Sequence, residues 1–186
     1  MDWLSIREFI LDFIKLIIVI VIILVLMIYV VSVTQVVGSS MSKTMENGDV
    51  LILNKIKYRF SKIRRGDIIS LEYEDTKYLI KRVIGLPGDT ISIQNNKVYI
   101  NGEVYIENYL EEGLVYDDFT LSSLGYQKIP DDMYFVLGDN RENSLDSREI
   151  GLISKDEVIG KVSFRIWPLN KLAVFGSTLF SGVILK

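Results

Sequence analysis

From Leu16 to Val33 this 186-residue chain carries only apolar side chains, Tyr29 and one polar residue, Ser32; Thr34-Gln35-Val36-Val37 prolongs the run. A helix over 16–37 rises about 1.5 Å per residue and covers roughly 33 Å, against a hydrocarbon core of about 30 Å. A helix in a soluble core shows a polar face at helical spacing, and this run has none. The reading is a membrane span. A cleaved leader is the competing reading, but its apolar stretch is only ~7–15 residues and ends at small residues. No Ala-x-Ala pattern follows here, so an uncleaved anchor is expected. Arg7 and Lys15 precede the run, and only Lys43 follows it closely, before a cluster that starts at Lys55. The positive-inside bias then makes residues 1–15 a short cytoplasmic N-terminus and 38–186 a domain on the outer side.

Past Val37 the periodicity changes to short β-branched runs. Asp49–Asn54, Gly66–Glu72, Tyr78–Ile84, Met133–Leu137 and Val158–Trp167 read as strands. Ile91–Ile106 carries Asn95-Asn96 and Asn101-Gly102 where two-residue turns would fall, which predicts a three-stranded meander. One short helix is expected near Ser154–Val158. Leu172–Leu185 is apolar but short for a span; it reads as a strand or tail packed on the domain, with a membrane-surface contact as the alternative. The fold class is mainly β: an antiparallel domain of 38–186 behind a transmembrane helix.

Composition narrows the chemistry. The chain has no histidine and no cysteine. That excludes a Ser-His-Asp triad, a thiol nucleophile, disulfides, and imidazole or thiolate metal ligands. No metal and no cofactor is expected; any catalysis must come from Ser, Thr, Lys, Tyr, Asp, Glu or Arg. Lys55, Lys57, Arg59, Lys62, Arg64 and Arg65 form a block without acids, and Glu103, Glu107, Glu111, Glu112, Asp117 and Asp118 a block without bases. The ordinary reading is two solvated surfaces. The sharper one sets the basic block against anionic lipid headgroups beside the anchor. The net charge of −3 and the missing aromatic and glycine patterns disfavour nucleic acid.

Three segments carry candidate chemistry. Val37-Gly-Ser-Ser-Met-Ser-Lys-Thr-Met45 follows the anchor directly. In Tyr78–Asp89, strand alternation puts Lys81 on a face with Leu79 and Val83. Such a lysine ordinarily snorkels at a strand edge; buried instead, it would have a lowered pKa and could act as a base. Gly138–Arg148 mixes Asp, Asn, Arg and Ser densely, as a polar loop does and as a scaffold around a buried amine would.

Together the segments resemble the type I signal peptidases, membrane-anchored bacterial serine proteases. Gly38, Ser40, Met41 and Thr44 match Gly-x-Ser-Met-x-x-Thr; Arg65-Gly66-Asp67, Lys81–Asp89 and Gly138–Arg148 match the remaining motifs in order. The resemblance implies Ser40 as nucleophile, Lys81 as general base, Ser144 orienting the amine, and Asp146 with Arg148 as a supporting ion pair. It implies a β-sheet domain of the type shared with self-cleaving repressor-type proteases. Its substrates would be signal-peptide-bearing preproteins, its partners membrane lipids and, indirectly, the export machinery, and its place the bacterial cell membrane as a single-pass protein. The substrate would bind as an added strand with small residues at the first and third positions before the cut, and Ile80 is a candidate pocket residue. Two positions depart from the pattern: Lys43 stands where the family usually has proline, and Gly38 where some relatives place a hydroxyl that helps hold the oxyanion. The Ser40 backbone N–H is the first candidate donor there. The rival reading is a catalytically inactive relative, an anchored module that binds export substrates or assembles a complex.

Overall fold

A computed structural model of the chain describes residues 3–74, 77–110 and 113–176. The apolar run is helical in α1, Trp3–Val30, whose segment Ile6–Val30 is long and apolar enough to cross a membrane. The helix stops seven residues before the expected end of the span at Val37. Residues Val31–Gln35 form strand β1 instead. The reason is local and tertiary at once. Val-Ser-Val-Thr-Gln is β-branched and interrupted by polar residues, and it pairs antiparallel with β2, Val50–Asn54, from Val31↔Asn54 to Gln35↔Val50. The helix also begins at Trp3, well inside the stretch expected to be a short cytoplasmic N-terminus.

After β2 come the one-turn helix α2 (Lys57–Phe60) and strands β3 (Ile68–Tyr73) and β4 (Lys77–Gly85). The expected meander follows as β5 (Ile91–Gln94), β6 (Lys97–Ile100) and β7 (Glu103–Val104). Its turns fall where the asparagines stand, with Asn95, Asn96, Asn101 and Gly102 all at positive φ, as primed hairpin turns require. Then come β8 (Phe119–Thr120), β9 (Met133–Leu137), α3 (Ser147–Ile150), β10 (Ile153–Ser154), β11 (Val158–Trp167) and β12 (Ala173–Val174). The helix expected near 154–158 is a single 3₁₀ turn, Lys155–Glu157, closed by a Ser154–Glu157 capping box.

Two antiparallel sheets result. The larger runs β1-β2-β11-β3-β4-β9-β10 with β12 against β11; the smaller runs β7-β6-β5-β8. Ile91, Ile93, Val98 and Ile100 of the smaller sheet are buried with Ile84, Phe135 and Leu137 of the larger one. On the anchor side, Met41 and Met45 of the loop after β1 are buried with Leu51, Leu53, Ile68 and Val162. Of the C-terminal apolar stretch, Ala173–Val174 pairs with Phe164 and Arg165 as expected of a packed strand, and 177–185 lies outside the described residues.

Buried ions tie the sheet together. Asp67 of the Arg-Gly-Asp motif accepts from Lys161 Nζ at 2.5 Å, Tyr58 Oη at 2.9 Å and the Arg64 N–H at 3.1 Å. Lys161 also donates to the Gly176 carbonyl at 3.1 Å, which pins the strand after β11. Removing one partner of a buried pair strands the other charge, at a cost of about 3–5 kcal/mol, whereas removing both costs much less. Asp67→Ala is therefore expected to destabilise the domain by about that amount. Adding Lys161→Met to it should recover at least a third of the loss, read by denaturant unfolding in detergent micelles. A double variant no more stable than Asp67→Ala would show that Lys161 is not the charge left stranded.

Candidate active site

The serine segment, the lysine strand and the polar loop converge. Ser40 follows β1 in a loop held at its base by two backbone hydrogen bonds, Val36 N–H to Asp49 O at 2.8 Å and Gly48 N–H to Val36 O at 2.9 Å. Gly38 takes φ +97° at the entry to this turn, and its N–H donates to Asn47 Oδ1 at 3.0 Å. Lys81 sits mid-strand in β4 with 1% of its surface exposed. It is buried rather than snorkelling. Its Nζ lies 2.7 Å from Ser40 Oγ and 3.1 Å from the Ile80 carbonyl.

Burial shifts the amine toward its neutral form. Burial pulls the Lys81 pKa down to about 8, against the opposing influence of the Asp146 and Asp139 carboxylates. Both acids are themselves paired. Asp146, fully buried, accepts from Arg148 Nε at 2.8 Å and Nη2 at 2.9 Å, and from the Gly138 N–H at 3.0 Å. Asp139 meets Arg82 in a two-point contact, Nε at 2.9 Å and Nη2 at 2.6 Å, with the Tyr109 ring 3.9 Å from the guanidinium carbon. Each arginine offsets an anion that would otherwise hold Lys81 protonated.

The loop 138–148 also grips the serine segment directly. Asn140 donates its backbone N–H to Ser40 O at 3.0 Å and its side-chain amide to Ser39 O at 3.1 Å; Asn143 Nδ2 donates to Ser39 Oγ at 3.0 Å. Thr44 Oγ1 donates to Asp139 Oδ2. Arg141 is buried inside the loop, donates to Gly138 O at 2.9 Å and pairs with Glu107. Glu107 thus leaves the solvated acidic surface expected of its block. Gly138 is required by contact. A Cβ there would lie 2.1 Å from Ser144 Oγ and 2.5 Å from the Ser40 carbonyl oxygen.

The sequence-predicted residues are not all engaged as expected. The structure joins Ser40 to Lys81, and Asp146 to Arg148. It brings Ser144 against Gly138 and the Ser40 backbone, but the Ser144 hydroxyl is buried without a hydrogen-bond partner, so the bond expected from it to Lys81 is not made. Ile80 packs at the border of the cluster containing Met41 and Met45. Among the described residues, nothing accepts the Ser40 N–H, which leaves that donor free. Asp139, Arg82, Asn140, Asn143 and Gly138 lie inside the matched motifs, but their contacts join distant segments that no sequence spacing announces. No group of three or more acidic residues able to hold a metal ion occurs among the described residues. Chemically, a buried neutral amine within hydrogen-bond reach of a serine hydroxyl can remove its proton.

Lys43 carries the departure from the usual proline into backbone geometry. Its φ is +81° and its N–H donates to Glu46 Oε1 at 3.2 Å. Proline is locked near −65° and has no N–H, so this turn excludes it.

A family model described as "Signal peptidase, peptidase S26" matches residues 10–167. Signal peptidase I of Bacillus caldolyticus is 42% identical over 144 residues, covering 73% of this chain and 79% of that protein. Signal peptidase IB of Staphylococcus aureus is 34% identical over 155 residues, covering 77% and 81%. A crystal structure of a signal peptidase I from Enterococcus faecalis superposes with a TM-score of 0.51 at 35% identity, over 55% of this chain and 98% of that one.

The Lys43 turn gives a test that does not depend on activity. Lys43→Gly should stabilise by up to about 1 kcal/mol, because glycine adopts positive φ without the Cβ clash. Lys43→Pro should destabilise by about 3 kcal/mol or distort the turn. Thermal unfolding of both variants decides; a neutral or stabilising Lys43→Pro would contradict the left-handed turn.

Proposed function

The chain belongs to the S26 signal peptidases, serine endopeptidases that cleave signal peptides, and we propose that it does so with a Ser40–Lys81 dyad through an acyl-enzyme. The observation that carries this reading is the 2.7 Å contact between Ser40 Oγ and the amine of the buried Lys81. Neutral Lys81 accepts the Ser40 hydroxyl proton as Oγ attacks the scissile carbonyl carbon. The free Ser40 N–H donates to the oxyanion that develops. The resulting ammonium gives its proton to the leaving amine as the C–N bond breaks, which leaves the preprotein's signal peptide as an ester on Oγ. Neutral again, Lys81 takes a proton from water, whose oxygen attacks the ester carbon. The proton then returns to Oγ as the signal peptide departs.

The substrate would add as a strand beside Lys81. β9 pairs with β4 only at Arg82, Val83 and Gly85, so the same edge of β4 at residues 77–81 has no partner among the described residues. A chain laid there receives backbone hydrogen bonds, and the half-buried Ile80, packed on the Met41–Met45 cluster, offers an apolar surface that would suit small side chains. We further propose the topology read from sequence, with the start of α1 in the cytoplasm and the β domain outside.

Cleavage of a model preprotein by the full-length protein in detergent is the direct test. Ser40→Ala and Lys81→Met are each expected to lower kcat by at least about 10³-fold; near-normal processing by either would refute the dyad.

The pH profile tests the amine. With a pKa of about 8, Lys81 is mostly protonated at pH 7 and mostly neutral at pH 9, so kcat/KM should rise with pH through a limb near 8. Arg148→Met removes the cation that offsets Asp146. The limb should then move to higher pH by about 0.5–1 unit, with the rate recovering at alkaline pH and with Arg148→Lys restoring part of the shift. A rate lost equally at every pH would make Arg148 merely structural.

A further inference from the structure

The basic block is divided in the structure, and the division locates a surface. Arg65 turns inward, donating to the Ile84 carbonyl and pairing with Asp89 at 3.0 Å. Lys55, Lys57, Arg59, Lys62 and Arg64 stay exposed, and none has an ion-pair partner among the described residues. These cations lie within ten residues of a chain whose net charge is −3. Phe60 stands among them with 85% of its surface exposed. Its helix α2 is fixed from the other side, where the Tyr58 hydroxyl donates to Asp67 at 2.9 Å. Phe60 is thus held outward. The segment also begins beside the end of the span, since the Lys55 N–H donates to the carbonyl of Val30, last residue of α1, at 2.9 Å.

We propose that residues 55–64 form an interfacial docking surface for anionic phospholipid headgroups, with Phe60 inserted among the acyl chains and the five cations over the phosphates. Position selects this partner. A polybasic surface beside the outer end of a membrane helix faces the bilayer before it faces any soluble polyanion, and an exposed aromatic among cations suits the headgroup boundary. A solvated face would need the charges but not the outward phenylalanine. The surface would hold the β domain down on the membrane at one side of the anchor and limit its swing.

The native chain has no cysteine, so a Phe60→Cys variant of the full-length protein can be labelled at that one place with an environment-sensitive dye. The labelled protein is placed in nanodiscs of phosphatidylcholine alone or mixed with phosphatidylglycerol, and quenching by acrylamide is measured. The expected result is roughly twofold or greater protection in the anionic discs, reversed by high salt and by neutralising the five cations to Gln. A label at Val115, 69% exposed and in the acidic half, should not respond to lipid charge. Equal accessibility in both lipids overturns the proposal. So does equal protection in both, which would mean apolar insertion alone, or protection that survives neutralisation. If the neutralised variant fails to fold, as judged by its unfolding transition in detergent, the salt titration of the unneutralised labelled protein decides: protection indifferent to salt overturns the proposal.

Discussion

Everything around the candidate site answers to one requirement: an amine buried beside a hydroxyl must be free to lose its proton. Two lysines are buried among the described residues, Lys81 and Lys161, and they are treated oppositely. Lys161 is given Asp67 at 2.5 Å, an ion pair that keeps a buried ammonium tolerable and joins β11 to the turn before β3. Lys81 is given a hydroxyl and a carbonyl, and no carboxylate at ion-pairing distance among the described residues. Burial then works on it unopposed except at longer range, where Asp146 and Asp139 pull toward the charged form. The structure meets that pull by giving each acid its own arginine. A carboxylate that has already engaged a guanidinium at two points projects much less field onto a third group. The arginines are therefore part of the acid–base machinery as proposed, although neither touches the serine.

The same ion pairs are also the mechanical frame. Asp146 caps α3 through the Arg148 N–H and binds the Gly138 N–H, so it closes the loop on itself. Gly138 lets Ser144 and the Ser40 carbonyl approach where any side chain would intrude. Asn140 and Asn143 reach across to Ser39 and Ser40. Charge neutralisation and positioning thus come from one set of residues, which couples the protonation of Lys81 to the placement of Ser40. The buried Ser144 hydroxyl lies beside Gly138 without a hydrogen-bond partner, so it adds packing rather than a bond to this frame.

Much of this was legible in the chain because its signals are local. Strands β2, β4, β9 and β11 follow from β-branched runs, and the meander turns follow from asparagines that tolerate positive φ. The motif pairs Ser40 with Lys81 and Asp146 with Arg148 were readable through resemblance. What escaped depends on distance. The Arg82–Asp139 pair joins residues 57 positions apart, and no spacing in sequence announces it. Glu107 sits in an acidic run that looks solvated, and only the fold delivers Arg141 to it. The end of the span escaped for a different reason. Hydropathy runs on through Val31–Val37, and a string of valines satisfies a bilayer and a sheet equally well; pairing with Val50–Asn54 decides between them. Lys43 was legible as a departure, but its positive φ was not.

The end of α1 at Val30 changes where Ser40 stands. Read as a continuous span to Val37, the sequence places Ser40 three residues from the bilayer. With the helix ending at Val30, strand β1 intervenes, and five residues at about 3.3 Å each carry the chain roughly 17 Å before the serine loop begins. β2 returns along the same path, so Lys55 comes back to Val30 while Ser40 stays at the far end of the hairpin. Were β1 to stand along the membrane normal, a substrate held by its own apolar helix in the same membrane would bridge a comparable gap to reach Ser40. An extended chain does so in about five residues, and only in extended form can it also lie along the open edge of β4. The β1–β2 hairpin would thereby act as a ruler, with the proposed lipid contact at its base and the dyad at its tip. On this reading the distance between a signal peptide's apolar core and its cut would be set by the strand length of β1, and the small residues near the cut by the half-buried Ile80.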